Sequence, residues 1–210
     1  MKMTKAGVST LAIAMCALLA AGCDPNASGS DQSAGNTYDI SDKVSTISLD
    51  ARGGNVTLTA SDTSSVKVTE DLNYSDTKPE TSHSVDGDTL KLVDEGCGGD
   101  NCHVNYKIEL PKGTVVQIKT AGGDITGNGL GANATVDTSG GDVKLEYSTA
   151  ATLVDATSAG GNVTIKVPAG PYEVDAKTDG GNREVSVQEV PGSANKIKAK
   201  SGGGNVTVTS

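Results

Sequence analysis

The chain has 210 residues, a formal net charge of −9, 27 glycines and five tyrosines, and it contains neither tryptophan nor phenylalanine. That charge speaks against nucleic acid as a partner, because such binding rests on neutralising phosphates with Lys and Arg. So little aromatic bulk speaks against a broad enzyme core and for a narrow one filled by Val, Ile, Leu, Ala and Thr.

Residues 1–22 form the first element. Lys2 and Lys5 make a basic start, "VSTLAIAMCALLA" is an apolar run too short to remain as a membrane span, and "LLAAGC" brings small residues up to Cys23. This resembles a bacterial lipoprotein signal. The resemblance implies cleavage after residue 22, Cys23 as the first residue of the exported chain, and a lipid on its sulfur. Removing Lys2 and Lys5 moves the formal net charge from −9 to −11. The expected location is extracytoplasmic, held at the cell membrane by the lipid alone.

Residues 23–36 follow as the lipidated cysteine and a polar tether, "DPNASGSDQSAGN", with no periodicity. As a flexible chain it reaches roughly 20 Å. Residues 37–210 then read as one domain, long enough to bury a core of its own.

Within 61–107, an irregular segment on its sequence, Cys97 and Cys102 stand in "EGCGGDNCHVNY" with four residues between them. In an oxidising compartment this spacing suits a disulfide across a tight loop. A metal reading would add His103 but lacks a fourth ligand at a familiar spacing, and the only other histidine is His83. No metal and no cofactor are expected.

The rest is a repeat. Gly-Gly-Asx recurs as Gly53-Gly54-Asn55, Gly122-Gly123-Asp124, Gly140-Gly141-Asp142, Gly160-Gly161-Asn162, Gly180-Gly181-Asn182 and Gly203-Gly204-Asn205, the last five separated by 18, 20, 20 and 23 residues. Six places before the first glycine stand Ile47, Val116, Ala134, Val154, Val174 and Ile197, and four places before stand Leu49, Ile118, Val136, Ala156, Ala176 and Ala199. Three places after it come Val56, Ile125, Val143, Val163, Arg183 and Val206. A period of two on both sides means strands with one buried face, continued through the turn. Arg183 breaks the pattern and reads as a bulge or a rim position. Pro111, Pro168 and Pro191 mark where strands end.

Two architectures bury the same residues. One is a β-helix-like solenoid of ~20-residue coils with Gly-Gly-Asx corners; the other is an antiparallel hairpin repeat or sandwich, each glycine pair being a two-residue turn. The near-constant repeat length favours the coil.

"SGGDV" at 139–143, "DGDTLKL" at 86–92, "ELPKG" at 109–113 and "KVPAG" at 166–170 resemble bacterial adhesin-like domains of unknown function, built from β-strand repeats of the head-GIN or toast-rack kind. The likeness covers about residues 40–210. It implies an all-β fold and no transferable activity.

For chemistry, the paired acids Asp124 and Asp142 are the best catalytic prospect, yet Asn or Asp fills that slot in every copy, and such side chains serve turns by bonding nearby amides. No GxSxG elbow is present. Calcium-binding β-rolls need a GGxGxD spacing that no copy has. The expectation is therefore a non-catalytic binding or adhesion scaffold for a glycan or an envelope protein, with a cell-wall hydrolase on a β-helix or a purely structural spacer as alternatives.

Overall fold

The computed structural model describes residues 31–97 and 101–210. The signal, Cys23 and most of the tether lie outside the described residues. The chain begins with β1 (Gln32–Ile40), β2 (Thr46–Ala51), β3 (Val56–Ser61), β4 (Val66–Tyr74), β5 (Glu80–Asp86), β6 (Thr89–Gly96) and β7 (His103–Pro111). It continues through β8 (Val115–Thr120), β9 (Ile125–Leu130), β10 (Ala134–Thr138), β11 (Val143–Tyr147), β12 (Leu153–Ser158) and β13 (Val163–Lys166). Last come β14 (Pro171–Thr178), β15 (Arg183–Val185), β16 (Gln188–Glu189), β17 (Lys196–Ser201) and β18 (Val206–Thr209).

These strands form two nine-stranded sheets: sheet I in the order β1-β4-β7-β3-β9-β11-β13-β18-β15, and sheet II in the order β16-β14-β17-β12-β10-β8-β2-β6-β5. Alternation does what the sequence requires. In β10 and β17 every second residue is buried, and the core lies between the sheets, with Leu58, Leu145, Ile165 and Val208 from sheet I and Ile47, Val136, Ala156 and Ala199 from sheet II all at 2% exposure or less.

The glycine pairs are corners. Each leads from a strand of sheet II into a strand of sheet I, as in β8 to β9 or β10 to β11, so the strands flanking a turn never pair with each other. Pairing runs instead between equivalent positions of neighbouring coils, parallel and in register: Val116 with Ala134, Ala134 with Val154, Val154 with Ile197, and Ile197 with Val174. The fold is the expected all-β solenoid, and the hairpin alternative is excluded by these registers.

The coils do not stack in chain order. From one end they run β14/β15, β17/β18, β12/β13, β10/β11, β8/β9, β2/β3 and β6/β7. After β13 the chain skips a rung, forms β14 and β15, and returns through β16 to place β17 and β18 in the gap. After β3 it likewise travels outward through β4 to β7 before β8 comes back beside β2.

Two expectations are corrected here. The tether ends earlier than residue 36, because Gln32–Asn36 is already strand, paired with Glu70–Tyr74 of β4. The 61–107 segment is regular: it supplies four strands, two of which, β6 and β7, make a seventh coil.

Both ends are covered. At one, β4 and β1 extend sheet I and β5 extends sheet II, all antiparallel. Tyr38 of β1 stacks on His83 of β5 with ring centroids 4.2 Å apart. Beneath them Glu70, 2% exposed, accepts hydrogen bonds from Asn36 Nδ2 at 3.0 Å, Tyr38 Oη at 2.8 Å and Thr81 Oγ1 at 2.8 Å. At the other end Arg183 occupies the rim: its Nε donates to the Ala176 carbonyl at 3.1 Å and its Nη2 to Glu189 Oε2 at 3.1 Å. Polar terminal coils of this kind keep a solenoid from stacking end to end.

Candidate functional site

The six Gly-Gly-Asx triplets line up along one corner of the solenoid. In five of them the Asx Oδ1 accepts the backbone N–H of the Asx on the next rung, and Asn182 ends the row: Asn55 from Asp124 at 2.9 Å, Asp124 from Asp142 at 2.8 Å, Asp142 from Asn162 at 2.6 Å, Asn162 from Asn205 at 2.9 Å, and Asn205 from Asn182 at 2.8 Å. A seventh member precedes them, since Asn105 Oδ1 accepts the Asn55 N–H at 2.8 Å. Sequence reading missed Asn105 because His103-Val104, not a glycine pair, directly precedes it. The available signal was its downstream register, "NYKIEL" matching "NVTLTA" after Asn55.

A second column runs inside the first. The hydroxyls of Thr138, Ser158, Ser201 and Thr178 donate to the carbonyls of Gly123, Gly141, Gly161 and Gly204 on the adjoining rung, at 2.6 to 2.9 Å. The same oxygens accept the N–H of the second glycine of their own turn, at 2.7 to 3.2 Å. The column breaks at Thr120, whose buried hydroxyl has no partner among the described residues. There the adjoining rung turns differently, through Gly54 at φ +86°.

The glycines serve close approach. A Cβ on Gly123, Gly141, Gly161, Gly181 or Gly204 would fall far inside contact distance of the backbone carbonyl of the neighbouring rung, although none of these five stands at positive φ. Within these pairs only Gly54 stands at positive φ. The first glycines have more room, and a Cβ on Gly122 would meet nothing within 4 Å.

This corner therefore spends its polar groups on the frame. Asp124 and Asp142 each give Oδ1 to the neighbouring rung. Among the described residues no group of three His, Cys, Asp or Glu side chains is placed to hold a metal ion. Cys97 and Cys102 are joined as a disulfide, Cα to Cα 6.1 Å, at the corner between β6 and β7.

The outward faces are polar. On sheet I, Thr57, Thr126, Lys144, Thr164 and Thr207 form one row across five strands in register. On sheet II, Ser48, Gln117, Thr135, Asp155, Lys198 and Asp175 form another. Charges on these faces pair locally: Lys144 with Glu146 at 2.9 Å and Lys177 with Asp175 at 2.7 Å. A hydrogen bond from the ammonium holds each carboxyl, Glu146 and Asp175, below its ordinary range. Tyr106, Tyr147 and Tyr172 are buried in the core; they give these faces no aromatic platform.

A family model, Toastrack DUF4097, matches residues 105–210. That is half of the sequence, and the chain belongs to this family. Among solved structures, a candidate cell adhesion protein of Clostridium sporogenes is 14% identical, covers 85% of this chain and 99% of its own, and superposes with a TM-score of 0.65. A candidate adhesin of Bacteroides fragilis is 16% identical, with coverage of 86% and 98% and a TM-score of 0.41. No curated protein matches. At such identity the first likeness shows the shared fold.

Proposed function

We propose that the protein is a lipid-anchored, extracytoplasmic binding scaffold without catalytic activity, which presents the rigid faces of its solenoid to a glycan or protein of the cell envelope. In this reading residues 1–22 are the signal, Cys23 carries the lipid, and a tether ending at Asp31 holds the domain near the membrane surface. One observation carries the proposal: the corner acids that a hydrolase or a calcium site would use are frame elements. Two broad polar faces are left as the exposed chemistry. The Clostridium sporogenes structure is described as a candidate cell adhesion protein, which accords with a binding role.

The test has two parts. A Cys23→Ala chain should leave the membrane fraction on cell fractionation; retention there would overturn the anchor. The full chain in detergent should co-sediment with peptidoglycan sacculi or envelope polysaccharide without releasing reducing sugar. Released sugar would make it an enzyme, and no binding to sacculi, polysaccharide or whole cells would overturn the scaffold.

A further inference from the structure

The topology gathers a second set of residues that the repeat pattern does not predict. At the end of sheet I beside the disulfide corner, the start of β1, the end of β4 and the start of β7 lie side by side, pairing Gln32 with Tyr74 and Asn73 with His103. With Asp31 and Asn101 they enclose a cleft of about 220 Å³, about the room that one sugar ring needs.

We infer that this cleft is a binding site for a neutral saccharide, an inference that rests on the scaffold reading and names its ligand class. Sugar hydroxyls both donate and accept, and the lining does the same: amides from Gln32, Asn73 and Asn101, a carboxylate from Asp31 and an imidazole from His103. Tyr74 is half-buried and adds a ring face beside a phenol hydroxyl, the amphipathic surface that a pyranose presents in return. Part of this capacity is already used. Asn73 Nδ2 donates to the Asp71 carbonyl at 3.2 Å, Gln32 Nε2 to the Ser75 carbonyl at 3.4 Å, and Ser75 Oγ to Asp31 Oδ1 at 3.4 Å. The side chains of Asn101, His103 and Tyr74 make no hydrogen bond among the described residues.

Backbone geometry points the same way. Asn101, at φ 57°, is the one non-glycine residue at positive φ among the described residues, and it sits next to Cys102 of the disulfide. The cross-link restrains the backbone that carries Asn101, which lowers the ordering cost on association. Charge selects the ligand. Neither Lys nor Arg lines the cleft, Asp31 does, and the whole chain is at −9; a phosphate or uronate would be repelled.

The experiment is titration calorimetry on the full chain in detergent. The neutral panel is chitotetraose, cellotetraose, maltotetraose and mannotetraose, and polygalacturonate is the anionic control. Saturable binding of a neutral oligosaccharide is expected, weakened about tenfold or more by Tyr74→Ala and by Asn101→Gly, as loss of one ligand contact predicts. Gly122→Ala, at a corner where the added methyl meets nothing within 4 Å, should bind as wild type. Asn101→Gly suits its positive φ, so this variant keeps the test open even where Tyr74→Ala loses the fold. Binding unchanged in both cleft variants, preference for polygalacturonate, or no binding of any neutral sugar overturns the cleft. Sacculus binding that persists in any of those cases leaves the scaffold standing; loss of both removes both.

Discussion

Asp142 Oδ1 accepts the backbone N–H of Asn162 at 2.6 Å, from a residue 20 places later in the chain and one rung across the solenoid. A side chain in one coil thus satisfies the backbone of the next, and only its oxygen is used. Asp142→Asn keeps that oxygen and removes a like charge one rung from Asp124, so stability should change by no more than ~0.5 kcal/mol, and upward if at all. Asp142→Ala should cost ~0.5–1.5 kcal/mol. Denaturant titrations with calcium and with chelator should coincide for all three proteins. A calcium-dependent gain that Asp142→Asn abolishes would mean the corner is a cation site.

The two glycines of one turn should differ sharply. Gly141→Ala drives a methyl into the Gly123 carbonyl, a backbone atom that yields only if the rung moves, at a cost of ~1–3 kcal/mol or more. Gly122→Ala enters open space at ordinary φ and should be neutral or stabilising, because alanine reduces the entropy of the unfolded chain. Thermal melts of the pair decide it, and equal losses would remove the close-approach account.

Deleting residues 196–210 removes β17 and β18, which lie between β12 and β14 in sheet II and between β13 and β15 in sheet I. The truncated chain should lose cooperative unfolding. In a solenoid stacked in chain order the same deletion would only trim one end. A truncated chain that still unfolds as one sharp transition would contradict the threaded order.

The Cys97–Cys102 bond should appear in non-reducing peptide maps as a fragment that gains two hydrogens on reduction. The pair is separated by five positions, so reduction should lower stability by at most about 2 kcal/mol through chain entropy. It should loosen the β6–β7 corner and leave the domain folded. Global unfolding on reduction would show that the bond holds more than its loop.

Asp94 supplies a pH dependence. Asp94 is 3% exposed and its carboxylate accepts the N–H groups of Arg52 and Gly96, yet burial pushes its pKa up, with the Glu70 charge adding to the effect. A raised native pKa stabilises most when the acid is protonated. This contribution is full below the unfolded value near ~4 and is lost as pH rises through the higher native value. Relative to Asp94→Asn, wild type should therefore lose stability as pH climbs through that window. A wild-type-minus-variant difference that is flat in pH would refute the assignment.

The amino-acid sequence by itself determined the repeating unit. Alternation around Gly-Gly-Asx specified which side chains face inward, from Ile47 and Leu49 to Val206 and Val208, because a strand has a side-chain period of two whatever its neighbours are. It also marked Arg183 as a bulge or a rim position, and the structure decides for the rim. What it could not determine was which coil lies against which. Every coil offers the same buried face, so stacking in chain order and the threaded order with β17/β18 in the gap bury the same residues. Only tertiary structure decided that order, and with it why the second glycine is there: the obstruction at Gly141 is the carbonyl of Gly123, an atom brought close by stacking. The same holds for Asn105, Glu70 and the cleft at Tyr74 and Asn101. These groups come from segments well separated in the chain, Tyr74 and Asn101 by 27 residues and Asn55 and Asn105 by 50, joined by the outward excursion of β4 to β7, a path that no local pattern encodes.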